Sequence, residues 1–164
     1  LSASVIAEAL ASYVRSILSG DSPYDRYLFG DREALTAEQR RGLEVVRGKG
    51  NCIACHIGPN FSDEQLHNTG VAFLAGNPED RGGGSGNFKT PTLREVGRTS
   101  PYMHNGSLAT LEDVVDFYAD GGRPNPNLDR DMAPRSFTRS DRQDLLAFLR
   151  SLSGTLVEGV RQSR

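Results

Sequence analysis

Apolar positions along this chain recur at helical rather than alternating spacing. Ile6, Leu10, Tyr13, Val14, Ile17 and Leu18 fall on one side of a helix over residues 3–18, and Gly20 with Ser22-Pro23 stops it. The stretch from Pro23 to Leu35 is polar with interleaved aromatics and has no apolar period. Thr36-Ala37-Glu38-Gln39 reads as a capping box, because a Thr hydroxyl and a Gln side chain three residues on can each serve the other's backbone N–H. It opens a helix reaching about Gly48. After His56 come roughly 50 residues in which Gly, Pro, Asn and Ser recur, a length of irregular chain that compact domains carry only for a reason. Within it, Gly82-Gly83-Gly84-Ser85-Gly86 is expected to be a solvent-facing loop. Thr110 to Asp113 is a second capping signal, for a short helix with Leu111, Val114, Val115 and Tyr118 on one side and Gly121-Gly122 as its stop. Beyond Pro124, Pro126 and Pro134, Ser140 is expected to cap a last helix carrying Leu145, Leu146, Phe148, Leu149 and Leu152, closed by Gly154. No strand alternation and no internal repeat is read. The class is all-α, with long irregular loops.

Composition changes this picture in one respect. The 164 residues suffice for a single domain, but only 37% are hydrophobic, 7% are aromatic and none is Trp. That is little apolar material for a core of side chains alone, so a large buried ligand would complete it. The net charge of -2 arises from 19 basic and 21 acidic side chains spread along the chain. Such a balance makes no basic field, and nucleic acid is not expected as a partner. No membrane span is expected, because Glu8 and Arg15 interrupt even the first apolar helix. A chain beginning at Leu1 with no leader is expected to be a processed product or a piece of something longer.

The two cysteines stand two residues apart and cannot staple distant parts of the fold, so their chemistry is local. In Cys52-Ile53-Ala54-Cys55-His56 the spacing puts both thiols within reach of the two vinyl groups of a haem, with the imidazole directed at its iron. The competing readings are half a zinc site, which lacks two further ligands, and a redox dithiol, which lacks a preceding strand. One covalent haem c is therefore expected, with His56 as the proximal iron ligand. Covalent attachment makes folding and cofactor loading one event, and implies export to a bacterial periplasm. The Gly-rich stretch has neither a strand before it nor a Lys-Ser or Lys-Thr pair after it, which argues against a phosphate loop.

The string from Cys52 through Phe88-Lys89-Thr90-Pro91-Thr92-Leu93-Arg94 and Pro101-Tyr102-Met103-His104-Asn105-Gly106 to Phe148-Leu149-Arg150-Ser151-Leu152 resembles the C-terminal half of the bacterial di-haem cytochrome c peroxidase and MauG-like family. The resemblance implies a cytochrome-c-like haem domain over residues 36–164, preceded over 1–35 by a helix and an inter-domain lead-in. It further implies a partner N-terminal haem domain that meets peroxide while the haem of this half relays electrons, with a small redox protein as donor or acceptor. A calcium ion between the halves, held in part by backbone carbonyls of Thr99 and Pro101, belongs to the same implication.

The resemblance also bears on the second axial ligand. Counting from His104 in the Pro-Tyr-x-His motif, the distal position falls on Tyr118, a Met in the peroxidases and a Tyr in MauG-like proteins. Phenolate lowers a haem's reduction potential and thioether raises it, so this position governs what the haem can do. Periodicity alone favours a core role for Tyr118 on the Leu111 face. Met132, placed before Pro134 and the last helix as in single-haem cytochromes, is the alternative, and Met103 reads as haem packing. His104 is a candidate propionate or electron-path residue, and an acid/base should this haem itself take peroxide. His67 is expected to be a loop histidine bonded to backbone. Arg81, Lys89 and Arg94 are candidate propionate partners. Gly42 and Phe148 are expected to meet at a close helix crossing. Glu112, Asp113 and Asp116 read as a solvated helix face. Besides the electron-relay half, a small peroxidase and a stand-alone electron carrier stay open as functions.

Overall fold

A computed structural model describes residues 2–73 and 80–157, so positions 74–79 of the irregular stretch and 158–164 of the expected haem domain lie outside the described residues. The elements follow as α1 (Ala3–Ser16), β1 (Leu18–Gly20), α2 (Pro23–Leu28), α3 (Ala37–Arg47), β2 (Leu66–His67), β3 (Phe88–Lys89), α4 (Leu111–Ala119), α5 (Arg139–Arg150) and β4 (Thr155–Val157). Three single 3-10 turns join them, one of which carries Cys52–Ala54.

Helices α2 to α5 all open on capping boxes, at Ser22/Asp25, Thr36/Gln39, Thr110/Asp113 and Thr138/Asp141. Several boundaries differ from expectation, α1 among them, which ends at Ser16 with Leu18 already in β1. Residues 23–35 are not wholly irregular, because Ser22 and Pro23 start α2. The cap of α5 is Thr138 rather than Ser140: Thr138 Oγ1 accepts from the Asp141 N–H and the Asp141 carboxylate accepts from the Thr138 N–H, whereas Ser140 lies inside the helix. Helix α5 also ends at Arg150, before Gly154. That glycine instead lies where a Cβ would sit 2.1 Å from the Gly20 carbonyl, and its N–H donates to Glu95.

The main packing joins α3 to α5. A Cβ on Gly42 would lie 2.0 Å from the Asp144 carbonyl oxygen and 2.6 Å from Phe148 Cβ, so glycine lets the two backbones approach. Phe148 is wholly buried there, edge-on to Tyr24 and Phe61, among Leu43, Val46, Leu145, Leu149 and Leu152. A bidentate bond from Arg41 to Asp144 borders the crossing, at 2.8 Å for each contact.

Strands are present, contrary to expectation. β1 pairs antiparallel with β4, Leu18 opposite Val157, and β2 pairs antiparallel with β3, His67 opposite Phe88. Each holds two or three residues, too few for alternation to register along the chain. Their effect is topological: β1 and β4 join the segment between α1 and α2 to the C-terminal end of the described chain, and the β2–β3 ladder pairs two segments of the irregular stretch. α1 stands apart, burying none of its side chains.

Candidate functional site

A cavity of about 510 Å³ lies between the Cys52–His56 segment, α4, α5 and the loops before and after α4. Its size is that of a site for a large cofactor. Cys52, Cys55 and His56 line one part of it; Leu111, Val114, Val115 and Tyr118 supply the face of α4; Leu145 and Leu149 supply α5; Met103 and Met132 come from the loops. The apolar α4 face read from the sequence is therefore a cavity wall. Tyr118, Met132 and Met103 all reach the same space, as do Thr99, Pro101, His104 and Lys89.

The donor set is suited to an iron porphyrin. His56 Nδ1 lies 2.8 Å from the Phe61 carbonyl, which can only accept, so Nδ1 carries the proton and Nε2 is left bare for a metal. Burial lowers the pKa of His56 and keeps the imidazole neutral. Phe61 has a left-handed backbone (φ 51°) while its ring is buried against Tyr24 and Phe148, so core packing holds the carbonyl that orients His56. Both cysteines are free. Burial pushes each thiol up to about 11, so both are protonated, uncharged sulfurs facing an apolar space. Tyr118 is likewise pushed up to about 12, chiefly by burial, with the Thr69 hydroxyl working in the opposite direction.

Several polar residues take places other than those expected. Arg94 does not line the cavity. Its guanidinium pairs with Asp25 at 2.7 Å and donates to the Pro59 carbonyl, both charged side chains being nearly buried, so its charge is spent on tying α2 to the segment after His56. Burial opposes ionisation of Asp25, but the Ser22 N–H and Arg94 hold its carboxyl below the ordinary range. Arg81 is exposed and also outside the cavity lining. Lys89 lines the cavity but pairs with Glu64. His104 lies at the cavity stacked on Phe88, ring centroids 4.1 Å apart, with Nε2 2.7 Å from Asp80. Glu112, Asp113 and Asp116 are, as expected, an exposed helix face, with Asp113 capping α4 and Glu112 and Asp116 pairing with Arg150 and Arg142 at the surface.

His67 is the largest departure. It bonds no backbone group; Nδ1 donates to Asp129 at 2.7 Å and Nε2 to Asp63 at 2.8 Å. Two acceptors on two nitrogens require the imidazolium, and its pKa is raised, chiefly by Asp129. Burial opposes it, but the Gln65 N–H and His67 hold Asp63 down to about 2. Asp63 was findable as the residue four before His67, whereas Asp129 comes from the far side of α4 and left no local signal. Cys55, Asp63 and His67 lie close enough to hold a metal ion, but both His67 nitrogens are already donating and offer no lone pair.

This clamp makes a pH prediction. A folded-state pKa above the unfolded value of about 6.5 stabilises fully below that value and is lost as pH rises through the folded pKa. Urea midpoints are expected to decline as pH is raised from about 6.5, and His67→Gln should flatten that limb. An unchanged limb in the variant would assign the decline to another group.

Comparison with known proteins places the site in context. No protein-family model matches the chain. It is 39% identical over 155 residues to methylamine utilization protein MauG of Methylorubrum extorquens, covering 90% of this chain and 43% of that protein. It is 39% identical over 182 residues to cytochrome-c peroxidase IdrP2 of Denitromonas iodatirespirans, covering 88% of this chain and 47% of that protein. Among solved structures, a MauG-like protein associated with microbial copper homeostasis superposes with a TM-score of 0.68 at 31% identity, over 82% of this chain and 52% of that one. The chain thus spans about half the length of the relatives it matches.

Proposed function

We propose, for a chain that belongs to the di-haem cytochrome c peroxidase and MauG family as one helical haem domain, that it holds one haem c covalently and relays electrons to or from a second, peroxide-reactive haem in a partner domain of the same protein. The observation that carries this reading is the convergence of two free thiols, a neutral imidazole with a bare Nε2, and the Tyr118 phenol on one apolar cavity. When bound, the haem would supply a one-electron centre.

The chain's own residues do the rest. Cys52 and Cys55 would form thioethers, and the Phe61 carbonyl fixes the tautomer and plane of His56 as the proximal ligand. Tyr118 would be the second residue to hold the iron, with the Thr69 hydroxyl favouring its phenolate. The Phe61 bond that pre-orders His56, with Tyr118 lining the same cavity as a second protein group, suits electron transfer rather than substrate binding. Leu111, Val114, Val115 and Leu149 give the cavity an apolar wall that would keep water from a bound haem. Lys89, His104 and Arg135 line the cavity and are placed to meet propionates; Lys89 and His104 are each already paired to a carboxylate, and Arg135 donates to the Asp131 carbonyl. Thr99 and Pro101 would offer carbonyl oxygens to a calcium ion, completed from the other half. Among the described residues no helix is long and apolar enough to cross a membrane. Haem attachment of this type would put the protein in the periplasm, where a small redox protein would exchange electrons with it.

The ferric electronic and paramagnetic resonance spectra of the haem-loaded chain test the ligand assignment. A phenolate charge-transfer band that disappears in Tyr118→Phe and persists in Met132→Ala is expected. Tyr118→Met should raise the reduction potential by on the order of 100 mV or more. A sulfur-to-iron band lost in Met132→Ala would overturn Tyr118 as ligand and return it to the cavity wall.

A further inference from the structure

Of the three histidines, His67 is the one that the electron relay leaves without a role, although it lines the cavity together with Asp129. Its geometry is that of a held charge. One ring nitrogen donates to Asp129 at 2.7 Å and the other to Asp63 at 2.8 Å. Both carboxylates are pre-ordered by backbone, since the Gln65 N–H donates to Asp63 and the Asp131 N–H to Asp129, each at 3.0 Å. Three segments meet in this clamp. Asp63 follows the Cys52–His56 motif and its N–H donates to the Cys55 carbonyl, His67 lies on β2, and Asp129 comes from the loop after α4. The Cys55 sulfur, an Asp63 carboxylate oxygen and a His67 nitrogen lie within 4.8 Å of one another, so the clamp stands beside a sulfur that would carry the cofactor.

Few other charges face it. The loop after α4 brings Arg130 and Asp131, the segment before β2 brings Glu64, and β3 brings Lys89, which pairs with Glu64. His56 faces the clamp from the motif and is neutral. Among the described residues no Lys or Arg pairs with either clamp carboxylate. Two carboxylates around an imidazolium carry a single net negative charge. Loss of the proton makes that charge double and leaves one carboxylate without its donor. The three side chains are 21%, 13% and 22% exposed, enough to exchange a proton with water and too little for water to screen the charge.

We propose that the Asp63–His67–Asp129 clamp is the proton partner of the haem, taking up one proton from water when the iron is reduced and releasing it on oxidation, so that this domain passes an electron together with a proton. The inference rests on the functional reading, whose small redox protein supplies the electron. The one bond that forms is an N–H of His67, and the same bond breaks on re-oxidation. Iron and clamp together keep their net charge, because an electron and a proton are gained and lost as a pair. Ordinary electrostatics suffice: at an effective protein dielectric of about 20, one unit of charge about 12 Å away changes a group's proton affinity roughly tenfold. A cofactor bonded to Cys55 would have its edge beside the clamp. Reduction of peroxide to water takes one proton for each electron, so a relay of this kind suits the whole reaction.

The test is the midpoint potential of the haem-loaded chain as a function of pH, read by spectroelectrochemistry, with intact mass confirming the loading. Reduction strengthens the hold of His67 on its proton, so the potential is expected to be level at acid pH, to fall as pH rises above about 6.5, and then to level again. The total fall should correspond to a roughly tenfold change in proton affinity, or about 59 mV for one electron. His67→Gln should abolish it. Asp129→Asn keeps the imidazole but removes the charge that does most to hold its proton, and should move the falling limb to lower pH; a merely structural clamp would not move it. A level profile in the loaded parent would overturn this inference alone. An unchanged fall in His67→Gln would also overturn it, assigning the proton to another group such as a haem propionate. Should His67→Gln not fold, an unmoved limb in Asp129→Asn overturns the proposal. A chain that takes up no covalent haem would overturn it together with the functional reading.

Discussion

Gly42→Ala is expected to remove about 3–5 kcal/mol of stability, the range of the severe packing faults. Exchanging Gly for Ala inside a helix ordinarily gains roughly 1 kcal/mol from backbone entropy. Here the added Cβ would sit 2.0 Å from the Asp144 carbonyl oxygen and 2.6 Å from both the Asp144 carbonyl carbon and Phe148 Cβ. These are backbone and fully buried atoms with no rotamer to turn aside, so α5 would have to move off α3. Such a shift would open the Phe148 cluster and break the Arg41–Asp144 fork. Steric cost wins over propensity, and net domain stability is only about 5–15 kcal/mol. The measurement is the urea midpoint of the haem-loaded chain at unchanged m-value. A midpoint at or above that of the parent would show that the crossing is loose.

Second, the chain without its cofactor is expected to lack a cooperative fold. An apolar cavity of about 510 Å³, left dry, would cost on the order of 10 kcal/mol at the penalty per volume seen in core-deletion series. That equals the whole net stability of an ordinary domain. The shell around the cavity would collapse or fill with water instead, and the α4 face with Leu111 and Val115 would lose its packing. Cys52→Ala/Cys55→Ala produced in the same host, or the parent chain produced without haem attachment, should show reduced helical circular dichroism and a broad thermal transition. A sharp transition near that of the loaded chain would mean that the side chains alone suffice.

What could be read from the sequence was what short-range physics controls. Capping at Thr36/Gln39 and Thr110/Asp113 depends on residues three apart, and both helices start where those pairs stand. The start of α5 was misplaced because Ser140 is also a competent cap residue; the reciprocal partner Asp141 identifies Thr138. The Gly42–Phe148 crossing was anticipated from residue type and is present. Long-range charge pairing was not legible: Arg94 and Asp25 lie 69 residues apart and His67 and Asp129 lie 62 apart. Arg94 was consequently expected at a propionate and His67 on backbone. The β-ladders were missed because two or three residues cannot display an alternation. Tyr118 shows where periodicity stops: spacing put it on the apolar side of α4, and only the folded chain shows that this side faces a cavity rather than solid core.

The central claim is that Cys52 and Cys55 carry one haem through thioethers. Intact-mass spectrometry of the denatured chain, produced in a host competent for c-type haem attachment, tests it most directly. The account predicts the mass of the polypeptide plus one haem, reverting to polypeptide alone in Cys52→Ala/Cys55→Ala. A bare polypeptide mass from a haem-competent host, or a mass lower by two hydrogens from a Cys52–Cys55 disulfide, would contradict it.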